Sequence, residues 1–135
     1  MTVIVCVDDR LGVAFNKRRQ SRDRVVTEDI LKMAESARLI IAPYSRGLFA
    51  EECAVTVSDV PLVEASEGDF VFIEDRGLSG YEKRITGMII YRWNKLYPSD
   101  RVLDVLPEDA GLRLNESTEF AGYSHEKITK EIYTK

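Results

Sequence analysis

Histidine is almost absent from this chain: a single one, His125, occurs among 135 residues. A site built on a cluster of histidines, such as that of the binuclear zinc hydrolases, is therefore excluded. The two cysteines, Cys6 and Cys53, lie far apart in apolar surroundings, so we expect buried free thiols rather than a disulfide or a redox pair. The sequence shows no Cys-x-x-Cys motif, P-loop, Cys-His pair or Ser-His-Asp arrangement, and enzymes of those classes are not expected.

Long apolar runs are missing as well. No segment approaches the length that spans a bilayer, and the first residues are too few and too acidic for a secretory signal. We therefore expect a cytoplasmic protein without a membrane partner. Hydrophobic residues make up 44% and charged residues 31%, values at which a chain of this length buries its own core. We expect one domain over residues 1–135, with no repeat and no linker.

The charge is distributed unevenly along the chain. The whole chain carries −4, yet residues 17–24 hold five cationic side chains and one anionic one, so this stretch carries +4 and the remainder −8. We call residues 16–24 the basic segment. Arginine side chains form two parallel hydrogen bonds to phosphate, so the basic segment is a candidate anion site in an otherwise acidic protein.

Apolar and β-branched runs predict the strands. Four buried strands are expected, at residues 3–7, 38–42, 70–73 and 88–93. Three further extended pieces are expected at residues 55–57, 101–106 and 112–120. A helix is expected near Thr27, which we interpret as its N-cap because acids and apolar residues at helical spacing follow it. Residues 13–15 are interpreted as an apolar link. The tail, residues 124–135, fits either a helix or an edge strand.

Strands that alternate with helices predict an α/β domain with a mostly parallel central sheet. In such sheets, ligands bind beyond the carboxyl ends of the strands. Two predicted strands end in acid pairs, Asp8-Asp9 and Glu74-Asp75, and the basic segment leaves from the same edge. The acid pairs are weak candidates for binding Mg²⁺, although acidic residues at turns more often bind no metal.

The order of these features resembles dihydrofolate reductase. The elements that carry the resemblance are, in chain order, residues 3–7, Gly12, Asn16, the helix near Thr27, and residues 39–45, 70–73, 81, 88–92 and 131–133. The resemblance covers most of the chain. It implies a trimmed reductase-like fold in which the tail is a strand of an antiparallel C-terminal hairpin.

The chain departs from the reductase at the positions that carry its chemistry. Glu74-Asp75 stands where the reductase has two glycines beside its cofactor, and these carboxylates would repel a pyrophosphate. Val25 stands where the active-site acid is expected, with Asp23 the nearest acid, and Ser21 lies near the position of the active-site tryptophan. The segment of residues 45–70 is too short to contain the full adenosine-binding subdomain of the reductase. We therefore expect no nicotinamide cofactor.

A second resemblance rests on residues 15–24, 91–94 and 124–131. They are similar to a family of small uncharacterised bacterial proteins from Firmicutes whose members are often labelled ribonuclease Z. Ribonuclease Z itself is a binuclear zinc phosphodiesterase with a metallo-β-lactamase fold. A chain of 135 residues with one histidine does not support that label.

Three functional hypotheses remain open. The first is a small binding protein for an anionic ligand (a nucleotide, phosphate or RNA) that uses Asn16, Arg18, Arg19, Ser21, Arg22 and Arg24. The competing interpretation of these arginines is structural, because they are equally able to pair with the two acid pairs inside the protein. Aromatic residues, on which single-stranded RNA stacks, are not interleaved with the basic segment.

The second hypothesis is an enzyme. A divergent reductase would use Asp23 as its acid, whereas a metal-dependent nuclease would use Asp8, Asp9, Glu74 and Asp75. His125, beside Glu126, is a weak candidate for a general base, although a lone histidine in a tail is more often a surface or capping residue. The third hypothesis is an interaction module whose basic segment docks an acidic partner.

Overall fold

The computed structural model describes all 135 residues. Its strands are β1 (Thr2–Val7), β2 (Gly12–Phe15), β3 (Arg18–Arg19), β4 (Leu39–Ile41), β5 (Thr56–Val57), β6 (Phe70–Phe72), β7 (Gly87–Arg92), β8 (Arg101–Val102), β9 (Arg113–Phe120) and β10 (Ile128–Thr134). Its helices are α1 (Arg24–Met33) and α2 (Pro61–Glu64), with 3₁₀ helices at Pro43–Leu48, Glu82–Arg84 and Pro107–Ala110. None of these helices combines the length and apolar character that crossing a membrane requires.

Seven of the strands form one sheet, in the order β5-β4-β6-β1-β7-β10-β9. The strands from β5 to β7 are parallel, whereas β10 runs antiparallel to both β7 and β9. The predicted mostly parallel sheet with antiparallel C-terminal strands is therefore confirmed. The ambiguous tail is a strand, but it lies inside the sheet, and the edge position belongs to β9.

The central strands are apolar on both faces because both faces of the sheet are covered. Ile4 of β1 and Ile89 of β7 pack with Ile30 of α1 in one buried cluster. Their neighbours Val3 and Met88 belong to a larger cluster on the opposite face. This two-sided burial positions the carboxyl ends of β1 and β7 side by side, and the candidate site lies at that end.

Helix α1 begins earlier than predicted. Its N-cap is Asp23, whose backbone is extended and whose carboxylate accepts a hydrogen bond from the backbone N–H of Val25. Thr27, the predicted cap, is already inside the first turn, and its hydroxyl donates to the backbone oxygen of Asp23 at 3.2 Å. Both residue types cap helices well, but the aspartate precedes the threonine and starts the helix first.

The first residues of the basic segment belong to a hairpin. Strands β2 and β3 pair antiparallel, and residues 13–15, expected to be a link, belong to β2. Asn16 and Lys17 connect the two strands with backbone φ angles of 52° and 61°. Two successive left-handed residues are the signature of the type I′ turn, which matches the twist of paired strands. With β8, these strands form a separate three-stranded sheet.

Most crossovers contain little helix. Only α1, with ten residues, is long, whereas α2 has four residues. The segment Pro43–Leu48, which follows β4, is a six-residue 3₁₀ helix. No helix follows directly on β6. The carboxyl end of the sheet therefore presents few helix N-termini, which are the usual anion sites of α/β proteins.

Candidate functional site

Three segments that are distant in the sequence meet near the carboxyl end of β7. They are the junction between β3 and α1, the residues that follow β7, and the turn between β9 and β10. The first segment contributes Ser21 and Asp23, the second Tyr97, and the third Ser124 and His125. These side chains form one connected hydrogen-bond network.

Asp23 is the most heavily bonded side chain of the network. Its Oδ1 accepts hydrogen bonds from the backbone N–H groups of Val25 and Tyr123. Its Oδ2 accepts from the backbone N–H and the hydroxyl of Ser124 and from Nδ1 of His125. Burial acts to raise the pKa of Asp23, but these hydrogen bonds outweigh it and hold the pKa well below its usual range. Asp23 is therefore a carboxylate at neutral pH.

His125 lies between Asp23 and two hydroxyl groups. Its Nδ1 is 2.8 Å from Oδ2 of Asp23. Nδ1 is therefore the protonated nitrogen, and it donates a hydrogen bond to the carboxylate. Its Nε2 is then an acceptor, 3.0 Å from the Ser21 hydroxyl and 3.1 Å from the Tyr97 hydroxyl. The imidazole stacks on the indole of Trp93 with 4.6 Å between ring centroids. The ring is fixed in both orientation and tautomer.

The structure thus contains the Ser-His-Asp arrangement that the sequence did not show. Ser21 Oγ, the His125 ring and the Asp23 carboxylate form two consecutive hydrogen bonds of 3.0 and 2.8 Å. The sequence drew attention to each residue singly but could not join them, because His125 is 102 positions from Asp23. The prediction that His125 lies on the surface is wrong, since the residue is only 5% exposed.

A glycine makes the close approach of Asp23 and His125 possible. A Cβ atom at Gly122 would lie 2.6 Å from Oδ2 of Asp23 and 3.0 Å from the backbone oxygen of His125. Gly122 also donates its backbone N–H to that same oxygen at 2.9 Å. The turn between β9 and β10 therefore needs a residue without a side chain at this position.

Arg19 is the one arginine of the basic segment that binds a carboxylate. Its Nε and Nη2 contact Oε1 and Oε2 of Glu74 at 3.0 and 2.9 Å. Ser45 donates its hydroxyl to the same carboxylate at 2.7 Å, and the ring of Tyr44 lies beneath the guanidinium. For Arg19 the structural interpretation holds, and Glu74 is occupied by this pair.

The remaining arginines of the basic segment stay free of carboxylates. Arg18, Arg22 and Arg24 are exposed, and none of them makes a salt bridge within 4.0 Å. Arg24 lies over the ring of Tyr123, 4.1 Å from the centroid. Asn16, the other residue predicted to bind a ligand, uses its backbone N–H to bond Asp100. In the structure these three arginines do not pair with the two acid pairs.

Two open clefts flank the basic segment. The α1 cleft, of about 580 Å³, is lined by 11 residues that include Arg22, Arg24, Leu31, Leu48 and Tyr123. The hairpin cleft, of about 540 Å³, is lined by three cations and three acids together with Ala14 and Tyr44. The α1 cleft has an apolar wall, whereas six of the eight residues that line the hairpin cleft are charged.

A small inner cavity lies behind the network. It has a volume of about 20 Å³, enough for one or two water molecules, and its lining includes Ser21, Asp23, Phe72 and Trp93. Gln20 also lines it, and the Oε1 atom of Gln20 is buried and accepts no hydrogen bond from the protein. Ser21 and Gln20 therefore line the same cavity.

The acid pairs do not form a metal site. Asp8 binds the backbone N–H groups of Arg10, Gly12 and Tyr97 and the side chain of Gln20. Glu74 binds Arg19, Asp75 binds the neighbouring Arg76, and the side chain of Asp9 makes no hydrogen bond. No group of three or more His, Cys, Asp or Glu side chains lies close enough to hold a metal ion. The structure therefore gives the Mg²⁺ interpretation no support. The two cysteines are free thiols, as expected, although both are only partly buried.

The architecture is that of the dihydrofolate reductases. A solved structure of the dihydrofolate reductase from Enterococcus faecalis, complexed with NADP(H) and RAB-propyl, superposes with a TM-score of 0.64. The match covers 98% of this chain and 94% of the reductase, so little of the reductase fold is trimmed away, and the sequence identity is 10%. A likeness at that identity establishes the fold alone. No family model and no curated protein matches the sequence, and the resemblance to the Firmicutes family stays a prediction.

Proposed function

We propose that this protein binds a small anionic ligand that carries an aromatic or apolar group, and that it does so in the α1 cleft. The observation that carries the proposal is the pair Arg22 and Arg24. Both arginines line the cleft, both are exposed, and neither contacts a carboxylate. Two unpaired guanidinium groups beside an apolar wall suit a ligand with one charged end and one apolar end.

The formal charges of the α1 cleft cancel, but the exposed side chains that line it carry two positive charges and one negative charge. Two acids, Asp23 and Glu28, line it beside Arg22 and Arg24. The carboxylate of Asp23 is already saturated by five hydrogen bonds from its own protein. Asp23 keeps its negative charge, but its side chain is 0% exposed, so Glu28 is the only exposed acid of the cleft. An anion that enters the cleft therefore meets two exposed guanidinium groups and one exposed carboxylate.

Tyr123 supplies an aromatic surface that the basic segment itself lacks. It is 68% exposed and comes from the turn between β9 and β10, about a hundred residues after the arginines. Leu31 and Leu48 contribute the apolar wall opposite the open side of the cleft. A base that stacks on Tyr123 with its phosphate on the arginines fits this arrangement, so nucleotides are the first ligand class to test.

A reductase is the second candidate, and the fold is the observation that favours it. Two local features weigh against a dinucleotide here. Glu74, where the resemblance places the glycines beside the cofactor, is engaged with Arg19. The segment after β4 is a 3₁₀ helix and no helix follows β6 directly, so the helix N-termini that bind a pyrophosphate are missing there.

The test is a titration of the protein with nucleoside mono-, di- and triphosphates, NADPH and a short RNA, by calorimetry at about 20 mM and about 200 mM salt. We expect nucleotide binding that weakens with salt and falls at least tenfold in the double variant Arg22→Ala, Arg24→Ala. The matched control is Arg10→Ala, Arg18→Ala, which removes two exposed arginines outside the α1 cleft and leaves affinity unchanged.

Two results would count against the proposal. One is the absence of any binding at low salt by a folded protein. The other is equal loss of affinity in the control and cleft variants, which would place the anion elsewhere on the basic segment. Oxidation of NADPH in the presence of dihydrofolate would favour the reductase instead.

A further inference from the structure

We propose that Ser21 is an activated nucleophile and that the protein hydrolyses small carboxylic esters, with His125 as the general base and Asp23 as the residue that positions it. The inference rests on the geometry around His125 and is independent of the anion site. Serine, histidine and aspartate in consecutive hydrogen bonds are the arrangement that activates a hydroxyl for attack on an acyl carbon.

The distances match what a general base requires. Nε2 of His125 is 3.0 Å from Oγ of Ser21, within reach of the proton that it must remove. Nδ1 donates to Oδ2 of Asp23 at 2.8 Å, which places the proton of the neutral ring on Nδ1 and leaves Nε2 facing the hydroxyl. The base, His125, and the residue that orients it, Asp23, therefore have the required geometry before any substrate binds.

The surroundings also stabilise the imidazolium that forms when His125 accepts the proton. Asp23 remains ionised beside it, and both side chains are buried, so their attraction is weakly screened by solvent. The indole of Trp93 stacks on the imidazole at 4.6 Å and 23°. An aromatic face stabilises a cation placed over it.

Two hydroxyl groups, those of Ser21 and Tyr97, lie within hydrogen-bonding distance of Nε2. Their positions in the structure indicate which of them is the nucleophile. Nε2 has one lone pair and accepts from Ser21 or from Tyr97, which is 3.1 Å away. Ser21 lines the inner cavity, whereas Tyr97 lines a different surface hollow with Pro98 and Ser99. We assign the attack to Ser21, because its oxygen is the nearer of the two to Nε2 and because it lines the inner cavity together with Asp23.

The inner cavity limits the substrate. A volume of about 20 Å³ accepts a methyl group but not a longer chain. The backbone N–H of Arg22, the residue after Ser21, has no acceptor within the protein. The equivalent N–H in serine hydrolases binds the oxyanion of the tetrahedral intermediate. We therefore expect acetyl esters to be preferred over longer acyl esters.

The reaction balances with water as its only co-reactant. Ser21 Oγ bonds to the acyl carbon, its proton moves to Nε2 of His125, and the ester C–O bond breaks as that proton passes to the departing alcohol. Water then attacks the acyl carbon, gives a proton to Nε2, and the Ser21 C–O bond breaks as Oγ regains a proton. The net change is ester and water to carboxylic acid and alcohol. Gln20 Oε1, buried and without a partner, offers an acceptor for the attacking water.

The experiment uses p-nitrophenyl esters and a fluorophosphonate probe that carries a methyl group on phosphorus, the size that the inner cavity accepts, on the whole protein. We expect one phosphonyl adduct, located on Ser21 by peptide mass spectrometry, and faster hydrolysis of acetate than of octanoate by at least tenfold. Ser21→Ala is expected to abolish the adduct and lower hydrolysis at least a hundredfold. Ser79→Ala is the matched control, because Ser79 is an exposed serine remote from the network whose side chain makes no hydrogen bond.

Ser21→Ala removes one hydroxyl from a half-buried side chain, so the variant folds, and a thermal melt verifies this. A positioning role for Asp23 predicts that Asp23→Asn lowers kcat with little change in KM, and that the remaining rate has an altered pH profile. The proposal is overturned by an adduct on Tyr97 or any residue other than Ser21, by the absence of an adduct in the folded wild type, or by unchanged hydrolysis in Ser21→Ala.

Discussion

Oδ2 of Asp23 and Nδ1 of His125 are 2.8 Å apart, although 102 residues separate them in the chain. Asp23 is 3% exposed and His125 5% exposed, so water does not compete for this hydrogen bond. It ties the first turn of α1 to the turn between β9 and β10. Any reaction at Ser21 therefore depends on the docking of the C-terminal strands.

We expect Asp23→Asn to destabilise the fold by about 3 kcal/mol, because an amide cannot accept all the hydrogen bonds that the carboxylate accepts. Asparagine caps helices as well as aspartate does, so the loss arises at Tyr123, Ser124 and His125 rather than at Val25. Urea unfolding at pH 7 measures it. Asp9→Asn, which alters an exposed acid without side-chain hydrogen bonds, should change stability by less than about 0.5 kcal/mol.

The stabilisation by Asp23 should depend on pH in a defined direction. Its folded pKa lies below the unfolded value of about 3.9, so its contribution is complete above about pH 5 and is lost as the pH falls toward the folded pKa. The gap in unfolding free energy between wild type and Asp23→Asn is therefore expected to narrow from pH 6 to pH 3. A gap that widens on acidification would contradict the assigned direction of the pKa shift.

Removal of Arg19 should cost more than removal of any other arginine of the basic segment. Arg19→Ala leaves Glu74, which is 8% exposed, with only the Ser45 hydroxyl as partner, and we expect a loss of about 2–3 kcal/mol. Arg18→Ala is the matched control, with an expected change below about 0.5 kcal/mol. The double variant Arg19→Ala, Glu74→Ala should recover part of the loss, because no unpaired charge remains. Equal losses in Arg18→Ala and Arg19→Ala would argue against this pair as a structural element.

Gly122→Ala should disturb the network directly. The new Cβ would meet Oδ2 of Asp23 at 2.6 Å, so the turn must shift and we expect a loss of about 1–3 kcal/mol. Gly47→Ala offers a comparison, because nothing lies within 4 Å of a Cβ there. Thermal melts of the two variants should separate clearly. Similar melting temperatures would show that the turn accommodates a side chain.

A substitution at Lys17 in the turn between β2 and β3 should increase the stability of the protein. Lys17 adopts a φ of 61°, which costs a residue with a side chain more than it costs glycine. Lys17→Gly is expected to stabilise the protein by about 0.5–1 kcal/mol, since Asn-Gly is the preferred pair for a type I′ turn. Lys17→Ala removes the same charge without relieving the backbone and should give no gain. A gain in both variants would assign the effect to charge instead.

The strands of the large sheet were predictable because buried parallel strands are continuous apolar runs. The runs containing Ile4, Ile40, Val71 and Ile89 could belong to little else in a protein of this composition. The hairpin was missed for a physical reason as well. Its turn is Asn16-Lys17, which lacks the glycine that normally signals a type I′ turn, and its second strand has two residues.

The candidate site was predictable only in pieces. Asp23 and His125 were named singly, but their contact depends on β10 inserting between β7 and β9, which no local pattern encodes. The contact of Asp23 with His125 could not be predicted from the sequence for a second reason. An aspartate before a helix is fully explained as an N-cap. The contact between Tyr123 and the basic segment was likewise not predictable from the sequence, because the cation–π contact with Arg24 joins residues about a hundred positions apart.

The stacking of Trp93 on His125 has an optical consequence. Trp93 is the only tryptophan of the chain, so all intrinsic indole emission comes from a ring 4.6 Å from the imidazole. An imidazolium accepts an electron from excited indole more readily than a neutral imidazole does, and it quenches the emission. The protein therefore carries its own fluorescent reporter of the charge on His125, readable without a label in wild type and in every variant described above.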